Sequence, residues 1–406
     1  MKLVKSIING GLVKYIKRYS AIFMVDATTS VGLFYLWNKG YKYLVPTASL
    51  CCIGGTYLYG LAKSREKLSS NQAVVVIGCD SGLGYSLALH CRQLGVNVIA
   101  SVLQIDGLAA KNLEQEGIHV YPLDVTQIDS VENFAGSVRT VLTEKNYALR
   151  CLVNNAAKMI FGEFEWQTDE QLRDQVEVNL LGTMRITREL MPMIRAYSSR
   201  IIVISSHCSI QPLPGVAAYS STKAALSAWT TAIRVELKKY GVKVVSFIPG
   251  SFVKESNILA RQAEHFEAMR RSMSEEARTF YGDYFDTYSQ YFASVTQGTK
   301  LEKLQDSRIY EVFEDALLDK YPSAIYKNEP WRYFVYHTLF RITPTCVRDL
   351  LVLKFVQGPP WTKRNINESS SNLHKLRENI SGLSDWKVQA RNSDASGNEK
   401  KTTDKS

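Results

Sequence analysis

The chain has 406 residues, 45% hydrophobic and 22% charged, with a formal net charge of +10. This composition supports a full buried core and excludes an intrinsically disordered protein. Much of the positive excess lies at the two ends, and no Arg/Lys run is interleaved with aromatics as a nucleic-acid surface requires, so nucleic acid is not expected as a partner.

The first eighteen residues hold Lys2, Lys5, Lys14, Lys17 and Arg18 without an acid, a pattern that suits anionic lipid headgroups or an organelle address. An apolar stretch from Ala21 to Asn38 is interrupted by Asp26. Between Lys42 and Lys63 runs YLVPTASLCCIGGTYLYGLA, twenty residues without a charge, a length that fits one bilayer span. Positive residues on the outer sides of both stretches match a hairpin with cytosolic ends. A buried or interfacial segment is the alternative. Residues 1–70 are therefore read as a membrane-anchor region.

From Ala73 the pattern changes to strands alternating with helices. AVVVIG, VNVIASVL, IHVYPLDV, LRCLVNNAA, SRIIVISS and GVKVVSFIPG are short apolar runs separated by helical patterns. This predicts a single α/β domain built on a Rossmann-like, doubly wound parallel sheet. The domain is placed at 71–360, with a helical substrate-binding extension from about 251 that includes RTFYGDYFDTYSQYF and PWRYFVYHTLF. The second of these mixes aromatics with Arg332 and could dock on a membrane near the pocket mouth. Residues 361–406 are polar and rich in Ser, Asn and Lys, and are read as a disordered tail. Seven cysteines with no Cys-x-x-Cys read as free thiols in a reducing compartment. No metal site is expected from their spacing.

VVVIGCDSGLG places Gly78, Gly82 and Gly84 between a strand and a helix. There the backbone can approach a pyrophosphate and the helix N-terminus offers free N–H groups. A 2′-phosphate would call for a base near the end of the second strand or inside the turn. Val102 stands at the selecting position, Asp80 and Ser81 are not basic, and Asp106 lies where a ribose-binding acid is expected. NAD is therefore favoured over NADP. Tyr-x-x-x-Lys occurs three times, at Tyr35/Lys39, Tyr59/Lys63 and Tyr219/Lys223, so spacing alone selects none of them; it shows only that the two side chains share a helix face.

The ordered set GCDSGLG, LVNNAA, VEVNLLGT, IVISS, YSSTK and PG resembles the short-chain dehydrogenase/reductase family. GEFEW, EVNLLGT and ALLDKYPSAIY bring it closest to the branch of retinol dehydrogenases, 17-beta-hydroxysteroid dehydrogenase type 2 and 3-hydroxybutyrate dehydrogenase. The resemblance implies a catalytic tetrad of Asn179, Ser206, Tyr219 and Lys223, with Ser206 and Tyr219 meeting the substrate. It implies cofactor contacts at Gly78, Ser81, Gly82, Leu83, Gly84, Val102, Asp124, Val125, Asn154, Ala156, Tyr219, Lys223, Pro249, Gly250 and Phe252. Lys223 is expected to favour the Tyr219 phenolate. Pairing of subunits through the helices after the fourth and fifth strands is likewise implied, giving a possible homodimer.

Two residues depart from the family pattern: Ile77 stands where Thr is usual, and Ala157 replaces the Gly of NNAG. The expected function is NAD-dependent interconversion of an alcohol and its carbonyl on a lipophilic steroid or retinoid, by a membrane-associated enzyme. The expected location is the endoplasmic reticulum with a cytosolic catalytic domain. The alternatives are a mitochondrial 3-hydroxy acid dehydrogenase and an inactive nucleotide-binding scaffold.

Overall fold

The computed structural model describes residues 64–250, 257–295, 301–356 and 358–361, with short pieces at 32–35, 37–41 and 48. Among these, seven strands form one sheet: β1 (Gln72–Ile77), β2 (Asn97–Val102), β3 (His119–Pro122), β4 (Ala148–Asn154), β5 (Arg200–Ile204), β6 (Lys243–Ile248) and β7 (Ile325–Lys327). Their order is β3-β2-β1-β4-β5-β6-β7 and every pairing is parallel. Parallel strands covered on both faces are apolar throughout rather than alternating. In β1 five of the six residues are buried, and in β5 all five are.

Helices fill the crossovers. The early ones are α1 (Gly82–Gln93), α2 (Leu108–Gln115), α3 (Ile128–Glu144) and α4 (Asp169–Val176), with a wide π turn over Glu177–Gly182. They continue as α5 (Thr183–Glu189), α6 (Met191–Ala196) and the long α7 (Ala217–Glu236). One apolar layer joins Val74, Val76, Val98 and Val102 to α1, α2 and Phe313; the other joins Ala73, Val75, Ile77 and Ile99 to α3, α5 and α7. Strand order changes direction between β1 and β4, which opens a crevice at their C-terminal ends where ligands of such sheets bind.

The C-terminal extension comprises α8 (Gln262–Ser272), α9 (Glu275–Val295), α10 (Ser307–Leu318), α11 (Trp331–Ile342) and α12 (Thr345–Val356). In α9 the backbone leaves helical geometry at Gly282. Its aromatic run is mostly packing. Trp166, almost fully buried, meets Tyr281, Tyr284, Phe285 and Tyr288 edge-on. The Tyr281 and Tyr284 hydroxyls donate to Glu165 (2.5 Å) and Glu163 (2.8 Å).

Ahead of β1, Glu66 N–H donates to Leu318 O and Ser64 O accepts from Lys320 N–H, so residues 64–66 pack with the end of α10. The expected membrane span at 43–62, the apolar stretch at 21–38 and the polar tail lie outside the described residues, apart from short pieces. No helix among the described residues is long and apolar enough to cross a membrane.

Candidate active site

The glycine turn after β1 is built by tertiary hydrogen bonds. Gly78 (φ +78°) and Gly82 (φ +57°) adopt left-handed backbone that a Cβ would strain. Gly78 N–H donates to Ser101 Oγ at 3.0 Å and Cys79 N–H to Ser101 O at 2.7 Å. Asn155 Nδ2 donates to Gly78 O at 2.8 Å from the other side. Ile77 has no hydroxyl to brace this turn; Ser101, on the neighbouring strand, supplies one. Ser81 stands at the N-terminus of α1 without a side-chain cap, so the first N–H groups of the helix remain for an anion.

A Cβ on Gly84 would run into the carbonyl of Gly78 and the amide of Asn155. Gly84→Ala is therefore expected to weaken dinucleotide binding about 100-fold, roughly 3 kcal/mol, since overpacking of this size distorts the backbone the pyrophosphate must approach. Titration of NADH fluorescence checks it; binding within threefold of wild type would contradict it.

The cleft has a volume of about 610 Å³ and is lined by Gly78, Ser81, Leu83, Asp124, Val125, Ala156, Tyr219, Lys223, Pro249 and Gly250 among the expected residues. Gly82 and Gly84 shape the turn from behind. Two other expected residues turn their side chains away from the cleft. Val102 is fully buried in the core, because alternation along β2 turns its side chain to the opposite face from Ser101 and Leu103, which line the cleft. Asn154 points into the helical layer, donating to Thr187 Oγ1 at 2.8 Å; its neighbour Asn155 faces the cleft.

Asp106 sits in an exposed turn away from the cleft. The acid at this end is Asp80, whose carboxylate accepts from Leu103 N (2.8 Å) and Gln104 N (3.2 Å). Phe252 lies outside the described residues. The cleft, its glycine cradle and its free helix N-terminus fit a nicotinamide dinucleotide.

At the other end of the cleft stand the tetrad residues. Tyr219 and Lys223 lie one turn apart on α7, 7% and 2% exposed. Lys223 Nζ donates to Ile204 O at 2.9 Å and is 5.8 Å from the Tyr219 ring centre. Ser206, at the end of β5, is within hydrogen-bonding reach of the phenol. Asn179 occupies the π turn, fully buried. It accepts from Lys158 N (2.7 Å) and donates to Lys158 O (2.8 Å) and Thr222 Oγ1 (3.0 Å), clamping the strand-end loop to α7.

Burial dominates the charge balance of this pair. Burial pushes the Tyr219 phenol well up, and the Ser206 hydrogen bond opposes this only in part. Burial lowers Lys223 to about 8. In this geometry desolvation is the largest influence on both groups.

Beyond Tyr219 the cleft opens into a second cavity of about 440 Å³. Met159, Ser206, Tyr219, Gly250 and Ile258 belong to both, so a molecule in each would meet at the phenol. The wall is apolar and aromatic: Phe161, Leu213, Val216, Phe292, Tyr333, Tyr336 and Phe355. Of the α9 aromatics only Tyr291 and Phe292 reach it.

A polar exception had no local signal in the sequence. His207, Glu329 and His337 bring three ligand-type atoms within 4.8 Å of one another, and residues so far apart escape any spacing rule. His337 Nδ1 is hydrogen-bonded to the Glu329 carboxylate, and His207 Nδ1 is 3.8 Å from the same oxygen. Burial, then His337, take His207 down to about 4 against the stabilising charge of Glu329.

A depressed histidine binds its proton in the unfolded chain first. Stability from neutral His207 is therefore complete above pH 6.5 and is lost as pH falls towards 4. The loss is expected to approach 3 kcal/mol, an order-of-magnitude figure. Urea unfolding at pH 7 and pH 4.5 should show the slope in wild type and a flatter one in His207→Phe; equal slopes would remove His207 as its source.

Comparison with known proteins matches residues 72–265 to the short chain dehydrogenase family. Estradiol 17-beta-dehydrogenase 2 of Rattus norvegicus is 32% identical over 283 residues, 66% of this chain and 71% of the relative. D-beta-hydroxybutyrate dehydrogenase, mitochondrial, of the same organism is 33% identical over 233 residues, 55% of this chain and 67% of the relative. The 17-beta-hydroxysteroid dehydrogenase type 2 of Homo sapiens is 29% identical over 288 residues, covering 68% and 71%.

Proposed function

The chain belongs to the short chain dehydrogenase family, and from that premise we propose that it is an NAD-linked alcohol dehydrogenase for a lipophilic substrate of the steroid or retinoid kind, with Tyr219 as acid/base. The observation that carries this reading is the meeting of two cavities at one phenol. A dinucleotide-sized cleft and an apolar, aromatic-walled cavity share Ser206 and Tyr219.

A bound nicotinamide supplies the hydride acceptor or donor. The chain's residues move the proton and hold the reactants. Tyr219 takes the hydroxyl proton of an alcohol, or returns it to a carbonyl. Ser206 hydrogen-bonds the reacting oxygen. Lys223, fixed by Ile204 O, would reach the nicotinamide ribose, and Asn179 holds the Lys158 backbone and α7 in register.

The adenosine end of the cleft supports NAD. Gly78, Asp80, Ser101, Leu103, Asp124 and Val125 line it without a lysine or arginine. A 2′-phosphate beside the Asp80 carboxylate would find repulsion and no countercharge. The breadth and aromatic lining of the second cavity support a ring-bearing substrate. Membrane association at the endoplasmic reticulum, with the catalytic domain cytosolic, goes with such a substrate and with the uncharged stretch at 43–62.

The test is reduction of NAD or NADP by detergent-solubilised protein with estradiol, retinol or 3-hydroxybutyrate as separate substrates. NADH formation with estradiol or retinol supports the proposal. Turnover of 3-hydroxybutyrate alone would move the substrate class to small hydroxy acids, and preference for NADP would overturn the reading of Asp80.

A further inference from the structure

The helical hairpin formed by α11 and α12 carries apolar side chains on both of its faces. Its inner face closes the substrate cavity. Phe340 is buried, and Tyr333, Tyr336 and Phe340 meet Phe355 edge-on with ring centres 5.0–5.9 Å apart. Its outer face exposes Phe334, Val335, Ile342, Val347, Leu350 and Leu353, with Ile342, Leu350 and Leu353 at 70%, 68% and 62%. Helix α12 has no buried residue at all, yet reads TCVRDLLVLKFV. An exposed apolar patch rimmed by polar groups marks an interaction site.

We propose that this outer face docks on an anionic lipid surface and sets the mouth of the substrate cavity against the bilayer. Three observations favour lipid. Arg341, Arg348 and Lys354 stand among the exposed apolar side chains, with Asp349 as the only acid of the two helices, so the charge complements anionic headgroups. Each helix has 12 residues, about 18 Å, well short of the roughly 30 Å hydrocarbon core; such helices lie in the interface rather than cross it. Finally, Tyr333, Tyr336, Lys354, Phe355 and Val356 line the cavity, so the docked face and the cavity rim belong to the same two helices. A lipophilic molecule could then pass from the bilayer without crossing water. That use of the surface rests on the dehydrogenase reading, but the docking itself does not.

The test uses the full chain reconstituted in vesicles of phosphatidylcholine, with or without about a third phosphatidylserine, and reads amide hydrogen exchange of residues 331–356. Exchange there is expected to slow several-fold in the anionic vesicles. Each basic side chain near such a surface adds about fivefold in affinity, so neutral vesicles, high salt or Arg341→Gln with Arg348→Gln should each reduce the protection. Leu350→Glu with Leu353→Glu should abolish it while exchange in the sheet stays as in wild type.

Unchanged exchange of 331–356 on adding anionic vesicles overturns the proposal. Lipid-independent protection that grows with protein concentration also overturns it, assigning the face to a second copy. If the glutamate variant fails to fold, the wild-type comparison between the two vesicle types still decides. Turnover of a water-soluble alcohol, measured alongside, keeps failure of docking separate from failure of the dehydrogenase reading.

Discussion

Replacing Tyr219 by Phe is expected to lower turnover about 10³-fold, close to 4 kcal/mol of barrier, while leaving NADH affinity within about twofold. The ring would keep its packing against Met159, Val216 and Leu259, so only the hydroxyl is lost. The pH dependence provides the sharper readout. Burial pushes the phenol up, so at neutral pH Tyr219 holds its proton and is ready to give it to a carbonyl. Oxidation needs the deprotonated form, so its rate should climb with pH through and beyond 8, while reduction should fall at the alkaline end. The mutant should lose both limbs. Steady-state rates in each direction from pH 6 to 10 check this. A mutant that keeps a tenth of wild-type turnover with the same pH profile would remove Tyr219 from the chemistry.

The parts of this site that were legible in the sequence are those whose logic is local. A glycine turn between an apolar strand and a helix, a strand ending in two serines, and a tyrosine and lysine one turn apart each announce themselves over a few residues. What the sequence did not show shares one cause: the side chain's direction or partner is set across the sheet. Ser101, Leu103 and Asn155 face the cleft, while the side chains of Val102 and Asn154, one position away, face the core layers, as a strand's period of two requires. Ile77 suggested a weakened turn because the compensating hydroxyl, Ser101 Oγ, comes from another strand. The cluster of His207, Glu329 and His337 assembles from β5's end, the loop after β7 and α11, and no spacing reveals it.

Arg200 was equally invisible as a structural residue, read only as the flank of an apolar strand, yet it ties the sheet to the end of α10. It is 2% exposed at the start of β5. Its Nη1 and Nη2 donate to Ala316 O (2.5 Å) and Asp319 O (2.6 Å) at the C-terminal end of α10. Those carbonyls have no further helical turn to serve, and the guanidinium cation complements the negative end of the helix dipole. The same helix end anchors the chain ahead of β1 through Ser64 and Glu66. It also leads to β7, where Tyr326 OH donates to Asp319 Oδ2 at 2.8 Å.

Arg200→Leu would fill much of the volume but remove two buried hydrogen bonds, at about 1–3 kcal/mol each. The guanidinium's own desolvation cost, relieved by the change, offsets part of this. The net expectation is a loss of about 3 kcal/mol in urea unfolding. Arg200→Lys, which can serve one carbonyl but not both, should lose about half as much. A loss below about 1 kcal/mol for Arg200→Leu would mean that the carbonyls find other donors, and that α10 is held to the sheet by its apolar face alone. Because β7 leads directly to Glu329 and the cavity-lining α11, a loosened α10 should also raise KM for the lipophilic substrate before it alters NADH binding at the far side of β1. That order of effects separates a support under the substrate cavity from a general loss of fold.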